Sequence, residues 1–128
     1  MTCHRAAGLG VQVGPDLITV KSKGREGLLL AILDPNKEVA AQYVVYNITT
    51  TDGLTRSGII TKDDAHSITL RLAGGEEHTI PRNQIKRTVS SGQSLMPEGL
   101  ETGGAAGAGT MDIQAMADLL TFIEELKQ

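Results

Sequence analysis

Tyr43-Val-Val-Tyr-Asn-Ile-Thr-Thr50, then Thr51-Asp52-Gly53, then Leu54-Thr-Arg-Ser-Gly-Ile-Ile-Thr61 is the stretch whose reading decides the fold. β-branched and aromatic side chains crowd the first run, and Asp-Gly supplies the positive-φ geometry of a tight hairpin turn. A second turn at Lys62-Asp63-Asp64-Ala65 leads into His66–Leu72. There Ile68, Leu70 and Leu72 alternate with Ser67, Thr69 and Arg71, the period of a half-buried strand. Ala73-Gly74-Gly75-Glu76 turns the chain into a strand at Glu77–Ile80. Pro81–Gln84 breaks it for one turn, and Ile85–Val89 is a last short strand.

Five short strands joined by tight turns fit a small SH3-like or Sm-like β-barrel, assigned to residues 42–91. Upstream, residues 5–23 are rich in glycine (Gly8, Gly10, Gly14) and read mostly as loop, with a short extended piece at Leu17–Val20. Arg25–Leu33 reads as a helix, apolar nearly all round and therefore expected to be buried. It stops at Asp34-Pro35 because proline disfavours helical geometry in the preceding residue. Residues 36–42 add a helical turn. Downstream, Ser90–Glu101 is irregular, and the Gly/Ala segment 102–110 reads as a flexible loop. A last helix is capped by Thr110 or Asp112 and carries Ile113, Met116, Ala117, Leu120, Ile123 and Leu126 or Lys127 at helical spacing. The expected class is α+β, with a helical part split between 1–41 and 92–128 by the inserted barrel.

The 128-residue length suits one domain, or a small domain carrying an inserted one. Aromatics make up only 2% of it (Tyr43, Tyr46, Phe122), so the core must be aliphatic or filled by something else, such as a planar cofactor. A formal charge of −3 argues against a strongly basic nucleic-acid binder, and no apolar run approaches the roughly 18–20 residues of a membrane span. Between residues 43 and 90, six basic side chains face five acidic ones, which is no electrostatic footprint for nucleic acid.

The single cysteine, Cys3, excludes an internal disulfide and leaves three readings: buried thiol, reactive thiol or thioether anchor. Cys3-His4 is what would remain if a Cys-x-x-Cys-His haem-attachment motif were cut just after its first cysteine, with Met1 and Thr2 then the intervening residues. Taken alone, the dipeptide favours the plainer reading, a Cys-His with no role. Met96, in a loop before Pro97, offers a thioether of the kind that ligates haem iron, or a gap-filling core side chain. His66 and His78 lack partners at zinc-ligand spacing. The glycines after residue 102 lack the Lys-Ser/Thr of a phosphate loop, and no serine sits in a nucleophile elbow. Asp63-Asp64 and Glu76-Glu77 read as solvated turn charges.

Jointly these pieces resemble the haem-binding, c-type cytochrome domain of the planctomycete and verrucomicrobial type, here N-terminally truncated. The residues that carry the resemblance are Thr2-Cys-His4, Val13-Gly-Pro-Asp-Leu17, Leu29–Asn36, Tyr43–Ile85, Ser94–Leu100 and Met116–Ile123. The resemblance implies a cytochrome c-like helical domain holding haem c. Cys3 would be the thioether anchor, His4 and Met96 the iron ligands, Pro15 the carbonyl acceptor behind His4, and Leu17 a wall of the pocket. It further implies one-electron transfer rather than enzymatic turnover, an exported or periplasmic parent protein, and a redox partner such as a sugar-dehydrogenase-like domain. With the first cysteine absent, attachment is expected to be incomplete, and the missing N-terminal helix is expected to leave Ile113, Met116 and Leu120 partly uncovered. The alternative is a haemless structural or interaction module built on the small barrel.

Overall fold

Val44–Thr50 (β3) forms an interior strand because its β-branched side chains fit a pleated surface, with Val45, Ile48 and Thr50 buried. Gly53, at φ +86°, closes the hairpin to Thr55–Asp63 (β4). Ser67–Arg71 (β5), Glu77–Pro81 (β6) and Ile85–Ser94 (β7) follow, giving an antiparallel sheet in the order β6-β5-β4-β3-β7. Two short strands, Arg5–Ala6 (β1) and Leu9–Gly10 (β2), pair before it. Three helices flank it: Leu17–Val20 (α1), Gly24–Leu33 (α2) and Ile113–Glu125 (α3). The computed structural model describes residues 2–102 and 111–127. Nearly all of the Gly/Ala segment 102–110 therefore lies outside the described residues.

The sheet curls. Ile48 of β3, Ile68 and Leu70 of β5 and Ile80 of β6 share one buried cluster, joined by Ile60, Leu72 and Ile85. In a flat sheet β3 and β6 would stand about 14 Å apart, three strand spacings, too far for their side chains to meet. A bulge between Ile60 and Lys62 on β4 supplies local bending, and Gly58 lets β4 pass close to β5. A Cβ on Gly58 would lie 2.6 Å from the Arg71 carbonyl oxygen.

The helices make a second, separate core. Leu28 and Ile32 of α2 meet Met116, Leu120 and Ile123 of α3, with Leu17, Val20, Leu29, Met96, Leu100, Met111 and Leu119 packed around them. Asp112 caps α3 by accepting from the Ala115 N–H at 2.7 Å. Polar contacts brace the pair: Arg25 reaches Glu124 at 2.7 Å, and the Lys21 ammonium donates to the Leu126 carbonyl at 3.0 Å.

Several expectations need correction. The expected cytochrome c-like helical domain interrupted by a barrel is not the organising unit. The body of the chain is antiparallel sheet, and among the described helices only α2 and α3 exceed a single turn. Both cores are aliphatic, so the scarcity of aromatics is met by interdigitated Ile, Leu, Val and Met rather than by a planar filler. Leu17–Val20 is a helical turn, because the Asp16 carboxylate caps the Ile18 N–H at 3.1 Å. α2 buries only Leu28 and Ile32; Leu30 and Leu33 remain exposed, since the sheet covers neither. On α3, Met116 and Leu120 are covered by α2, whereas Ile113 is 91% exposed. β7 runs to Ser94, five residues past its expected end.

Two consequences are measurable. Leu70→Ala should cost about 2–5 kcal/mol in urea unfolding followed by circular dichroism, whereas Ile113→Ala should stay within about 0.5 kcal/mol. Acid should also loosen the turns. The Thr50 hydroxyl and then the Leu54 N–H hold the Asp52 carboxyl below its ordinary pKa, and the His66 and Ser67 N–H groups do the same for Asp64. A carboxyl depressed in the folded state stabilises it above the unfolded pKa and loses that effect as pH falls through the lower folded value. The urea midpoint should therefore decline below pH about 4, and less steeply in Asp52→Asn/Asp64→Asn.

Candidate functional site

The N-terminal residues form a closed loop. The Cys3 carbonyl accepts from the Val13 and Gly14 N–H groups at 3.0 and 2.7 Å, drawing residues 11–15 back over the β1–β2 hairpin. His4 then lies on Gly14, where an added Cβ would stand 2.6 Å from the imidazole Cε1. Its Nδ1 donates to the Pro15 carbonyl at 2.8 Å, because a carbonyl can only accept. Cys3 is half-buried and its thiol points to the Thr2 hydroxyl at 3.8 Å. Cys3, His4 and Pro15 thus belong to one loop closure. Leu17 and Met96 lie elsewhere, both packed on the aliphatic cluster of α2 and α3.

This loop is strapped to the sheet. Arg71 of β5 donates through Nη1 to the Gln12 carbonyl at 2.7 Å, while Nε and Nη2 grip Glu77 at 3.1 and 2.8 Å. Val11 fits over Gly75, where a Cβ would come within 2.3 Å of the valine methyl, and Val13 is buried. The paired acids are therefore not merely solvated. Besides Glu77, Glu76 accepts from His78 at 3.0 Å and Asp63 pairs with Arg82. Asp64 receives the His66 and Ser67 N–H groups at 2.8 and 2.9 Å. Arg56 reaches His78 Nδ1 at 3.2 Å and, as a guanidinium, can only donate. Neutral His78 therefore carries its proton on Nε2, facing Glu76.

Two open clefts are present. A polar one of about 440 Å³ runs over the outer face of β4–β6, past Lys62, Thr69, Arg71 and Thr79. An apolar one of about 530 Å³ lies between α2 and α3, past Leu29, Leu33, Met111 and Met116. Neither is lined by Cys3, His4 or Met96.

The feature that the sequence reading missed is the edge of the sheet. β7 pairs with β3 on one side: Thr49↔Arg87, Ile48↔Thr88, Asn47↔Val89 and Tyr46↔Ser90. No described strand pairs with its other side. Lys86 through Ser90 are exposed in unbroken succession. The opposite edge, β6, is half as long and ends in Pro81. The expected strand stops at Val89 because the polar run Ser90–Ser94 carries no hydrophobic period from which a longer one could be read.

No protein-family model matches the chain, and no curated protein does. A solved structure, the 1.55 Å crystal structure of the pleiotropic translational regulator Hfq, is similar over 53% of this chain and 92% of that one. The identity is 19% and the TM-score 0.34.

The expected haem c, and with it the cytochrome family, the iron and the electron-carrier role, is overturned. Among the described residues no three His, Cys, Asp or Glu side chains converge on a point that could hold a metal ion. Met96 fills an aliphatic core, and no family model supports the resemblance. No described helix is long and apolar enough to cross a membrane.

The packing of His4 on Gly14 is testable. Gly14→Ala should push the imidazole away, break its bond to Pro15 and cost about 1–3 kcal/mol through overpacking. Loss of the hydrogen-bonded His4 Nδ1 proton signal in NMR checks it; an unmoved signal would show that the loop yields instead.

Proposed function

We propose that this chain is a haemless interaction module, in which the curled sheet presents the free edge of β7 to a partner protein. The supporting observation is the length and exposure of that edge. An unpaired strand offers a row of backbone N–H and C=O groups, and an extended segment of another chain can satisfy them by adding a strand. Chains usually blunt such edges. β6 does so with its brevity and with Pro81, whose nitrogen carries no hydrogen to donate. β7 has no proline, and its register irregularities flank the stretch between Tyr46 and Thr49 rather than interrupt it.

On this reading the other elements are scaffold. The strap from Arg71 to Gln12 ties the N-terminal loop to β5, and the α2–α3 pair packs as its own aliphatic unit. Asn36 anchors the far end of β7 by accepting the Ser94 N–H at 2.8 Å while donating to Glu98 at 2.7 Å. A strand paired along one side and anchored at its far end loses little conformational entropy when a partner docks, which favours binding. The module binds and performs no catalytic step of its own.

The test is site-specific photo-crosslinking in the native host, in the full-length protein. A photoreactive residue at Val89 should give a discrete partner adduct, one at Ile113 should not, and Val89→Asp should remove partner binding without lowering the thermal midpoint. Cys3→Ala and His4→Ala should leave the adduct intact. Adducts from Ile113 but none from Val89 would overturn the reading in favour of the helical face.

A further inference from the structure

We infer that the edge of β7 selects an acidic, extended polypeptide segment, docked antiparallel and carrying the pattern apolar-x-acid-acid. This rests on the reading of β7 as the docking edge. The first support is charge. The chain as a whole carries a formal charge of −3, yet the ten residues of β7 hold Lys86 and Arg87 and no carboxylate. β3 behind it, Val44-Val-Tyr-Asn-Ile-Thr-Thr50, holds no charge at all. None of the ion pairs among the described residues involves Lys86 or Arg87. The basic pair is therefore uncompensated where a new strand would lie.

The second support is register. Successive strand residues point to opposite faces, and residues directly opposite across a ladder share a face. Arg87 lies on the face of Thr49 and Val89, and Lys86 is the extra residue of the register irregularity between Thr49 and Thr50. Two consecutive carboxylates on an added strand would lie alongside Arg87 and then Lys86. Val89 is 44% exposed and sits two positions from Arg87 on the same side, where it offers an apolar contact. An antiparallel partner read from its own N-terminus passes Val89, Thr88, Arg87 and Lys86 in turn, which fixes the order of the pattern.

A second copy of this chain fits less well. Its sheet offers two consecutive acid pairs, and both are engaged: Glu77 by Arg71, Glu76 by His78, Asp63 by Arg82 and Asp64 by its own turn. RNA is the other polyanion, but no aromatic side chain stands on β7 for bases to stack on, and the free edge is a ladder of amides that a peptide matches.

The probe is a synthetic peptide, Thr-Val-Thr-Val-Thr-Glu-Glu-Thr, titrated into the isotope-labelled chain and compared with its Lys-Lys counterpart and with oligouridine. The Glu-Glu peptide should shift amides of β7 and weaken with added salt. Lys86→Glu/Arg87→Glu should weaken it about tenfold, as two exposed cross-strand pairs allow, and should bind the Lys-Lys peptide instead. Equal binding of both peptides, binding of oligouridine alone, or β7 shifts that appear with chain concentration and no peptide would each overturn the inference. A Val89 adduct to a partner in cells together with a silent Glu-Glu peptide leaves the docking edge standing and removes the charge rule. Loss of both removes the edge itself.

Discussion

Ile48 and Leu70, the two large side chains wholly removed from solvent, set the condition that the rest of the structure meets. They lie two strands apart and can share a core only if the sheet bends toward itself. That requirement explains the bulge on β4 and the absence of a side chain at Gly58, where the Arg71 carbonyl presses in. With almost no aromatic rings, the interior is closed by many branched aliphatic contacts, each small and collectively large.

The second level of order is the attachment of flanking segments to that sheet. Arg71 spends its planar fork on Glu77 and on the Gln12 backbone, so one guanidinium ties a strand, its neighbour and the N-terminal strap. Such a fork does work that a lysine at the same position would not. The helices hold together mainly through their own aliphatic cluster, with the exposed Arg25–Glu124 pair adding little. Two cores, one strap and one asparagine anchor are enough to give the chain its shape.

How much of this was legible depended on where periodicity was strong. His66–Leu72 announced its buried face by clean alternation, and Asp52-Gly53 announced the hairpin. The far half of β7 gave no such sign, because a strand exposed on both faces has no hydrophobic period to read. α2 misled in the other direction: a run of leucines reads as buried, but burial needs a neighbour, and on the Leu30 side there is none. The candidate site suffered most. Cys3-His4 and Met96 suggest ligation as residue types, yet hydrogen bonds within a loop and packing within an aliphatic cluster account for where His4 and Met96 lie. An open edge, in contrast, is a property of topology and has no residue signature.

The inequality of the two sheet edges has a consequence for how sheets could join. β6 is short, ends in proline and has its Glu77 engaged by Arg71 of β5, so the long basic edge of β7 has no counterpart on the far side of the same sheet. Head-to-tail fibres grow where two edges of a sheet match, and among the described strands the two edges differ in length, charge and proline content.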